Sequence, residues 1–344
     1  MSMRASLAPR RAVCSALFGV FLACALALPA RAAGNGGGYE PQPTPSTMEP
    51  KASKTLLLDV TRADGHYVAV GVRGIILLSG NGKDWKQVQA PADSPLTSVG
   101  FAPGTGDGWA VGHDGTILHT VDGGKTWKLQ RWVWGKQQTF LDVLALSKQR
   151  VLAVGSYGLM LESTDGGSHW KRVQVVPKDA LNQANLNQIV RLSNGDLFIA
   201  AEFGQVYRST DHGDHWKQIQ TPYDGTLFGM LNPTGQTLVA YGLRGHVYRS
   251  DDEGKHWRQI GTPTEKSLYC GTLMGNGRIA LGGQNGTVLV SDPGTLTKFE
   301  KYALPSGQTV SALYPLKGGG VLALDSNGTH IITAADLKPA NLSQ

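Results

Sequence analysis

The sequence predicts an all-β protein, a seven-bladed β-propeller built from four-stranded antiparallel blades. Three observations support this prediction. An aromatic residue recurs about every 42 residues at the end of one repeated phrase, glycine and proline supply 45 and 17 of the 344 residues, and the repeats lack the 3.6-residue apolar periodicity of helices. Four short strands fit into one period, which is typical of a propeller blade.

The repeated phrase is clearest at residues 108–127, which read GWAVGHDGTILHTVDGGKTW. Each copy predicts a strand, a turn that ends in glycine, a second strand, a glycine turn and a third strand, and one further apolar strand precedes it. Seven copies therefore place seven blades within residues 55–344. The aromatic residues that close the phrase are Trp85, Trp127, Trp170, Trp216, Trp257 and Phe299.

Residues 1–32 have the pattern of a secretory signal peptide. Arginines at positions 4, 10 and 11 precede an apolar run over residues 12–28, and Ala30-Arg31-Ala32 matches a small-residue cleavage site. We therefore expect an exported protein, in the periplasm or, in a photosynthetic host, in the thylakoid lumen. Two other export routes stay open, a lipid anchor on Cys24 and a twin-arginine signal at Arg10-Arg11.

Charge and cysteine content narrow the function of the exported chain. Cleavage after Ala32 removes four arginines, so 28 basic and 26 acidic residues remain and the net charge falls from +6 to +2. This charge is too small to predict nucleic-acid binding. Cys270 is the one cysteine left, which predicts a domain held by core burial without an intrachain disulfide, and we expect this domain to be a monomer. No later stretch approaches 18 consecutive apolar residues, so no transmembrane helix is expected in the mature chain.

Residues 33–54 are rich in glycine and proline and predict a linker. The repeat leaves the fourth strand of the seventh blade unassigned, because one period before Trp85 falls on Pro43 and one period after Phe299 falls near Asn341. Either terminus can supply that strand and close the ring. We favour the N-terminal segment, since prolines are tolerated on an outermost strand.

Four copies of the phrase carry the pattern Ser/Thr-x-Asp-x-Gly-x-Thr/His-Trp, which matches the Asp-box of bacterial neuraminidase repeats. The carboxylate is expected to bind backbone N–H groups of its own turn, and the tryptophan to fill apolar space between blades. With one box per blade, the acids lie too far apart to act together in catalysis. The predicted structural pairs are Asp122 and Trp127, Asp165 and Trp170, Asp211 and Trp216, and Asp252 and Trp257.

The histidines predict no metal site. His169, His215 and His256 each occupy the box position before tryptophan, so they lie in three different blades and cannot bind one ion. No phosphate-binding loop, nucleophile elbow or Cys/His dyad occurs in the sequence. We therefore predict no metal, no cofactor and no enzymatic activity.

The phrase at residues 108–127, the seven-copy period and the export signal together resemble the photosystem II stability and assembly factor family. The resemblance covers roughly residues 55–335. It implies a lumenal or periplasmic seven-bladed propeller that holds a membrane protein during assembly without catalysing a reaction. It also implies an arginine-rich binding face, and the comparable turns of this chain carry Arg73 and Arg244 together with acids at Asp114 and Glu202.

One face of the predicted propeller is the candidate binding surface. The turns between the second and third strands share this face with the loops between blades, and their residues differ from blade to blade where the rest of the phrase repeats. One inter-blade loop, residues 131–136, combines two tryptophans with two cations. The residues predicted to contact a protein partner are Arg73, Arg131, Trp132, Trp134 and Arg244.

Two other functions are compatible with this fold. A carbohydrate-binding or sialidase-like glycosidase propeller is the main alternative, but a sialidase needs clustered arginines, and Arg208 and Arg249 precede the box in different blades. A purely structural subunit is the second alternative. The sequence favours an exported, non-enzymatic factor that binds a partner protein in a membrane complex.

Overall fold

The computed structural model describes residues 41–177, 183–275 and 277–337. The predicted signal peptide, residues 1–32, and the first part of the predicted linker, residues 33–40, lie outside the described residues. Within those ranges the chain forms 27 β-strands and six short 3-10 turns. No helix there has the length and the apolar content that crossing a bilayer requires.

The strands form seven antiparallel sheets in chain order, which confirms the predicted seven-bladed β-propeller. Each of the first six blades has four strands, and the seventh has three within the described residues. The strands are β1 (Leu57–Ala63), β2 (His66–Gly71), β3 (Ile76–Ser79) and β4 (Lys86–Val88) in blade 1; β5 (Leu96–Phe101), β6 (Gly108–Gly112), β7 (Ile117–Thr120) and β8 (Lys128–Arg131) in blade 2; β9 (Phe140–Ala145), β10 (Val151–Gly155), β11 (Met160–Ser163) and β12 (Lys171–Arg172) in blade 3; β13 (Leu186–Arg191), β14 (Leu197–Ala201), β15 (Gln205–Ser209) and β16 (Lys217–Gln220) in blade 4; β17 (Leu227–Leu231), β18 (Leu238–Gly242), β19 (Val247–Ser250) and β20 (Arg258–Ile260) in blade 5; β21 (Leu268–Leu273), β22 (Ile279–Gly283), β23 (Thr287–Ser291) and β24 (Phe299–Ala303) in blade 6; and β25 (Ala312–Pro315), β26 (Val321–Asp325) and β27 (Gly328–Ile332) in blade 7.

The first strand of each blade is innermost and contacts the first strands of both neighbouring blades. This circle of contacts is complete, because β25 of blade 7 contacts β1 of blade 1. In blades 2 to 7 every residue of the second strand is buried. These strands read as continuous apolar runs such as VLAVG because both of their faces pack against a neighbouring blade.

Seven hydrophobic clusters hold the ring together, one at each interface between neighbouring blades. Trp127 of blade 2 is buried and packs in the same cluster as Val68 of blade 1. Trp170, Trp216 and Trp257 likewise pack in clusters that contain residues of the preceding blade. The tryptophan that ends each phrase therefore fills the space between two sheets.

The ring closes by side-chain packing between blades 7 and 1. Trp85 of blade 1 packs in one cluster with Leu322 and Leu324 of blade 7, and its Nε1 donates to Thr329 Oγ1 at 3.0 Å. The described part of the chain contains no strand that these two blades share. Closure thus uses the same kind of contact as every other interface in the ring.

Residues 46–54 lie along blade 1. Ser46 N donates to Ala90 O at 2.9 Å, and Gln87 Nε2 donates to Thr47 O at 2.8 Å, so the segment runs beside β4. A 3-10 turn, Ala52–Lys54, then contacts both β4 and β27. These residues add no strand to the sheet of blade 7, which was the role we favoured for the N-terminal segment.

Trp127→Ala is expected to lower the free energy of unfolding by about 3–5 kcal/mol, because it empties the space between blades 1 and 2. Urea denaturation measures the change. Trp134→Ala is the matched control, since it makes the same substitution at an exposed tryptophan and should change the free energy by less than about 0.5 kcal/mol. Equal losses in the two variants would contradict a specific packing role for Trp127.

Candidate functional site

The box residues hold their own turns between the third and fourth strands. In blade 2 the Thr120 hydroxyl donates to Asp122 Oδ1 at 2.8 Å and accepts from the Gly124 N–H at 3.0 Å. Asp122 also accepts from the Thr126 N–H at 2.9 Å and from the Thr126 hydroxyl at 2.7 Å. Trp127 Nε1 donates to Gly124 O at 2.9 Å. One carboxylate therefore closes the turn, and the turn orients the tryptophan.

The boxes of blades 3, 4 and 5 repeat the carboxylate contacts with histidine in place of threonine, and Trp216 and Trp257 Nε1 donate to the box glycine at 3.0 Å, whereas Trp170 Nε1 has no partner among the described residues. The histidine Nδ1 lies 2.6–2.7 Å from the box carboxylate in each. Hydrogen bonds from the His169 N–H and ring lower the pKa of Asp165 to about 2, and equivalent bonds lower the pKa values of Asp211 and Asp252. Each histidine is bound by its own box acid, and the described residues contain no group of three or more potential metal ligands.

The innermost strands carry a β-bulge at the central channel. In the first strand of blades 1 to 6, pairing with the second strand shifts by one residue near the start of the strand. In blades 1 to 4 the first paired residue after this shift lines a cavity of about 460 Å³ in the central channel. From blade 1 to blade 6 the residues at the shift are Asp59, Ser98, Asp142, Gln188, Gly229 and Cys270.

Three of these channel side chains form hydrogen bonds with the following blade. Asp59, Asp142 and Gln188 accept hydrogen bonds from backbone N–H groups of the following blade at 2.9, 2.9 and 2.7 Å. Blade 5 has glycine at this position, where a Cβ on Gly229 would lie 2.2 Å from Tyr241 Oη and 2.5 Å from Gln188 Oε1, so glycine leaves room for both side chains. These three polar side chains of the channel therefore form hydrogen bonds within the fold itself.

Asp59 and Asp142 share one proton through Ser98. Ser98 Oγ lies 2.8 Å from Asp142 Oδ1 and 3.0 Å from Asp59 Oδ2. A hydroxyl has one proton and can donate only one of these bonds, so the other needs a proton on a carboxyl group. Burial and the nearby Asp59 raise the pKa of Asp142 to about 7. Burial also raises the pKa of Asp59, but Asp59 Oδ2 accepts the Val99 N–H, and we infer that Asp142 carries the proton and donates to Ser98 while Ser98 donates to Asp59.

The turns between the second and third strands have the same backbone in blades 1 to 6. Both central residues have positive φ, which is the type I′ pattern of tight hairpins. The second central residue is glycine in each, and a Cβ on Gly204 would lie only 1.6 Å from Tyr223 O of the next inter-blade loop. From blade 1 to blade 6 the first central residues are Arg73, Asp114, Tyr157, Phe203, Arg244 and Asn285.

Exposed aromatic side chains occupy this face in neighbouring blades. Trp134, Tyr157 and Phe203 are 61%, 64% and 42% exposed. Trp132 stacks on Trp134 with ring centroids 5.9 Å apart. We refer to Trp132, Trp134, Tyr157 and Phe203 as the aromatic arc.

Hydrogen bonds fix the backbone under the aromatic arc. The Val133 N–H donates to Asp114 O at 2.7 Å, which ties the tryptophan loop to the turn of blade 2. The Tyr157 N–H donates to Asn185 Oδ1 at 2.9 Å, and the Asn185 N–H donates to Glu202 Oε2 at 2.9 Å. One residue therefore joins the turns of blades 3 and 4.

The predicted cations do not form one cluster. The Arg131 guanidinium is held inside the fold, where it donates to Gly115 O and Gln138 Oε1. Arg73 and Arg244 are exposed, but they lie in the turns of blades 1 and 5. Of the five predicted partner contacts, the structure brings the two tryptophans together and leaves the two exposed arginines in separate sectors of the ring.

Four residues of the site, Tyr157, Phe203, Asp59 and Asp142, are not among those predicted from the sequence. A signal exists for the two aromatic residues, since each is a bulky residue before glycine at a turn position where asparagine or aspartate is usual. The two channel acids share an offset from the start of their first strand. Their proximity across blades 1 and 3 depends on the ring geometry and on Ser98, so the sequence offers no direct signal for it.

The shared proton predicts that stability falls as the pH rises from about 4 to about 7. In this range the folded protein keeps a proton on Asp142 that the unfolded chain has released, because the pKa rises from 3.8 to about 7 on folding. Above about pH 7 this contribution should be constant. Urea denaturation across this pH range measures the slope.

Asp142→Asn is expected to remove this part of the pH dependence, because the amide offers Ser98 a donor without titrating. Its stability relative to wild type should therefore be greater at about pH 8 than at about pH 5. Asp93→Asn, at an exposed position, is the control and should keep the wild-type slope. A wild-type slope in Asp142→Asn would rule out the shared proton.

The family comparison identifies one match over most of the chain. Residues 77–309 match the family model described as Photosynthesis system II assembly factor YCF48. A comparison with curated proteins finds no match.

Solved structures with the same fold include both family members and other proteins. A structure described as YCF48 bound to D1 peptide has a TM-score of 0.66 and 18% identity, covering 84% of this chain and 99% of its own. YCF48 from Cyanidioschyzon merolae has a TM-score of 0.63 and 14% identity, covering 80% and 95%. A streptogramin B lyase has a TM-score of 0.68 and 11% identity, covering 81% and 94%. These likenesses show the fold alone, whereas the family match spans more than half of the sequence, and the chain therefore belongs to the Photosynthesis system II assembly factor YCF48 family.

Proposed function

We propose that this protein is an exported, non-enzymatic factor that binds a segment of a membrane protein while its complex assembles. The observation that carries the proposal is that Tyr157 and Phe203 hold exposed aromatic rings at turn positions with positive φ. Membership of an assembly factor family supports a protein partner. So does the D1 peptide bound to one solved relative.

Bulky residues are costly at these turn positions. A left-handed backbone costs an ordinary L-residue about 1–2 kcal/mol, and glycine, asparagine or aspartate fit it better. Asp114 and Asn285 follow that preference in blades 2 and 6, whereas Tyr157 and Phe203 do not. Side chains kept at a cost to stability support a role in binding.

The aromatic arc and the exposed arginines have the chemistry of a protein interface. Aromatic and arginine side chains are enriched at interface centres. Trp132 and Trp134 extend the apolar surface, Arg131 holds their loop, and Arg73 and Arg244 add positive charge elsewhere on the face. The partner segment is therefore expected to pack apolar side chains on the aromatic arc.

The position of the acidic groups supports a non-enzymatic role. In most glycosidases two carboxyl groups flank the bond to be broken. Here the box carboxylates bind their own turns, and the Ser98 hydroxyl occupies the space between Asp59 and Asp142. The pattern of residues 1–32 supports export, to the periplasm or to a thylakoid lumen.

Affinity capture from detergent-solubilised membranes of the host tests the proposal. The wild-type protein should retain a membrane protein in stoichiometric amounts, and a Trp134→Ser, Tyr157→Asn, Phe203→Asn variant should lose it. Val121→Ser is the matched control, because Val121 is as exposed as Tyr157 but lies in a box turn on the opposite face. Capture that survives the triple variant would argue against this surface.

A D1 peptide, the ligand of the solved relative, tests whether the two proteins share a client. The labelled peptide is titrated with the wild-type protein and with the double variant Arg73→Asn, Arg244→Asn. A weaker affinity in the double variant measures the contribution of the two arginines, separately from that of the aromatic arc. A partner other than D1 is indicated if the peptide does not bind while membrane capture depends on the aromatic arc.

Tyr157→Asn is expected to stabilise the protein by about 0.5–1 kcal/mol, because asparagine relieves the left-handed backbone. The same variant should bind the captured membrane protein at least about tenfold more weakly, since it removes a central aromatic contact. Urea denaturation and a binding titration measure the two effects.

Asn285→Tyr provides the reciprocal control at the same turn position of blade 6. It should lose a similar amount of stability and leave partner binding unchanged. If Tyr157→Asn destabilises the protein, then Tyr157 serves the packing of the fold and the argument from backbone strain fails.

A further inference from the structure

A second concave site lies on the same face, between blades 4 and 5. The cavity has a volume of about 810 Å³, within the range of small-ligand pockets. Tyr223 from the inter-blade loop lines it together with Arg244, His246 and Tyr248 of blade 5. The Tyr223 and His246 rings are stacked with centroids 4.9 Å apart, and the Tyr248 ring lies 5.4 Å from Tyr223.

The Tyr248 side chain is largely covered by its neighbours, but its hydroxyl is open to the cavity. It is 5% exposed, and its hydroxyl makes no hydrogen bond to any described residue. The equivalent strand position in blade 4 is Tyr207, whose hydroxyl donates to Gln205 Oε1. Blade 5 has His246 where blade 4 has Gln205, and His246 stacks on Tyr223 instead. A hydroxyl that is open to a cavity can form a hydrogen bond with a ligand polar group.

The cavity also presents one charge of each sign. Arg244 and Asp224 both line it, and neither has an ion-pair partner among the described residues. The cavity therefore combines a guanidinium donor, a carboxylate acceptor and a phenol hydroxyl with an aromatic platform, and these charged side chains give it no net charge.

We propose that this cavity binds a neutral pyranose unit of an oligosaccharide. Adjacent ring hydroxyls of a sugar both donate and accept, which suits Asp224 and Arg244 at once, and they can also form a hydrogen bond with the Tyr248 hydroxyl. The C–H face of the sugar covers the Tyr223 ring. A strongly acidic peptide would be repelled by Asp224 and a strongly basic one by Arg244, so the charge pattern favours an uncharged polar ligand.

Calorimetric titration of the full-length mature protein tests the site, with cellotetraose, maltotetraose and chitotetraose as probes at up to about 10 mM. At least one should bind. Tyr248→Phe should weaken that binding by about five- to tenfold, because it removes one hydrogen bond to the saccharide. Tyr207→Phe is the matched control and should leave the affinity unchanged.

Tyr223→Ala should abolish binding of the same saccharide, and thermal unfolding confirms that each variant is folded. Sialyllactose and one acidic and one basic decapeptide serve as charged comparisons. The proposal is overturned if none of the neutral saccharides binds, if Tyr248→Phe and Tyr207→Phe behave alike, or if a peptide binds more tightly than every saccharide and is lost in Tyr223→Ala. Capture of a membrane protein by the aromatic arc is measured separately, so either hypothesis can fail alone.

Discussion

The structure depends on the packing of each sheet against the next. A single blade has an almost entirely apolar second strand and cannot bury both faces of that strand by itself. Stacking seven blades around an axis buries all of these faces at once, and the tryptophan at the end of the phrase fills the gap that twisted neighbouring sheets leave near their outer strands. The recurring aspartate matters because it fixes the turn from which that tryptophan projects.

The two faces of the ring are built by different rules. On one face, four box turns are nearly identical because each must present glycine, carboxylate and tryptophan in the same geometry. On the other, the type I′ backbone and its second glycine are fixed, but the first central residue is free to vary in chemistry. That position ranges from Asp114 to Tyr157 and Arg244 without a change in backbone. The constant box turns therefore stabilise the fold, whereas the variable first residue of each type I′ turn gives every blade a different surface.

The repeat made the fold predictable, because its period, its turn glycines and its closing aromatic residue all report local structure. The box roles of Asp122 and Trp127 were also predictable, since every partner of the carboxylate lies within a few residues. The functional surface was predictable only in part. Trp132 and Trp134 are conspicuous in sequence, but the inward use of Arg131 depends on Gly115 and Gln138, which a linear pattern does not bring together.

The hydrogen bonds among the polar side chains of the central channel could not be predicted from the repeat. Asp59, Ser98 and Asp142 belong to three different blades, and each looks like an ordinary polar residue of its own first strand. Only the small radius of the ring brings two carboxyl groups to one hydroxyl. The cavity between blades 4 and 5 likewise depends on a contact outside the repeat, because the Tyr223 ring from the inter-blade loop lies against His246 and Tyr248 of blade 5.

The ring is closed by the packing of blade 7 on blade 1, and this affects how the chain folds as it is synthesised. Blade 1 leaves the ribosome first, with the apolar face that Leu57 and Leu77 share still uncovered, and its partner Leu322 is made about 250 residues later. Until blade 7 is made, the growing chain is therefore an incomplete ring with an uncovered apolar face at each end. A chain that stopped before residue 312 would keep both faces uncovered and would be prone to aggregate.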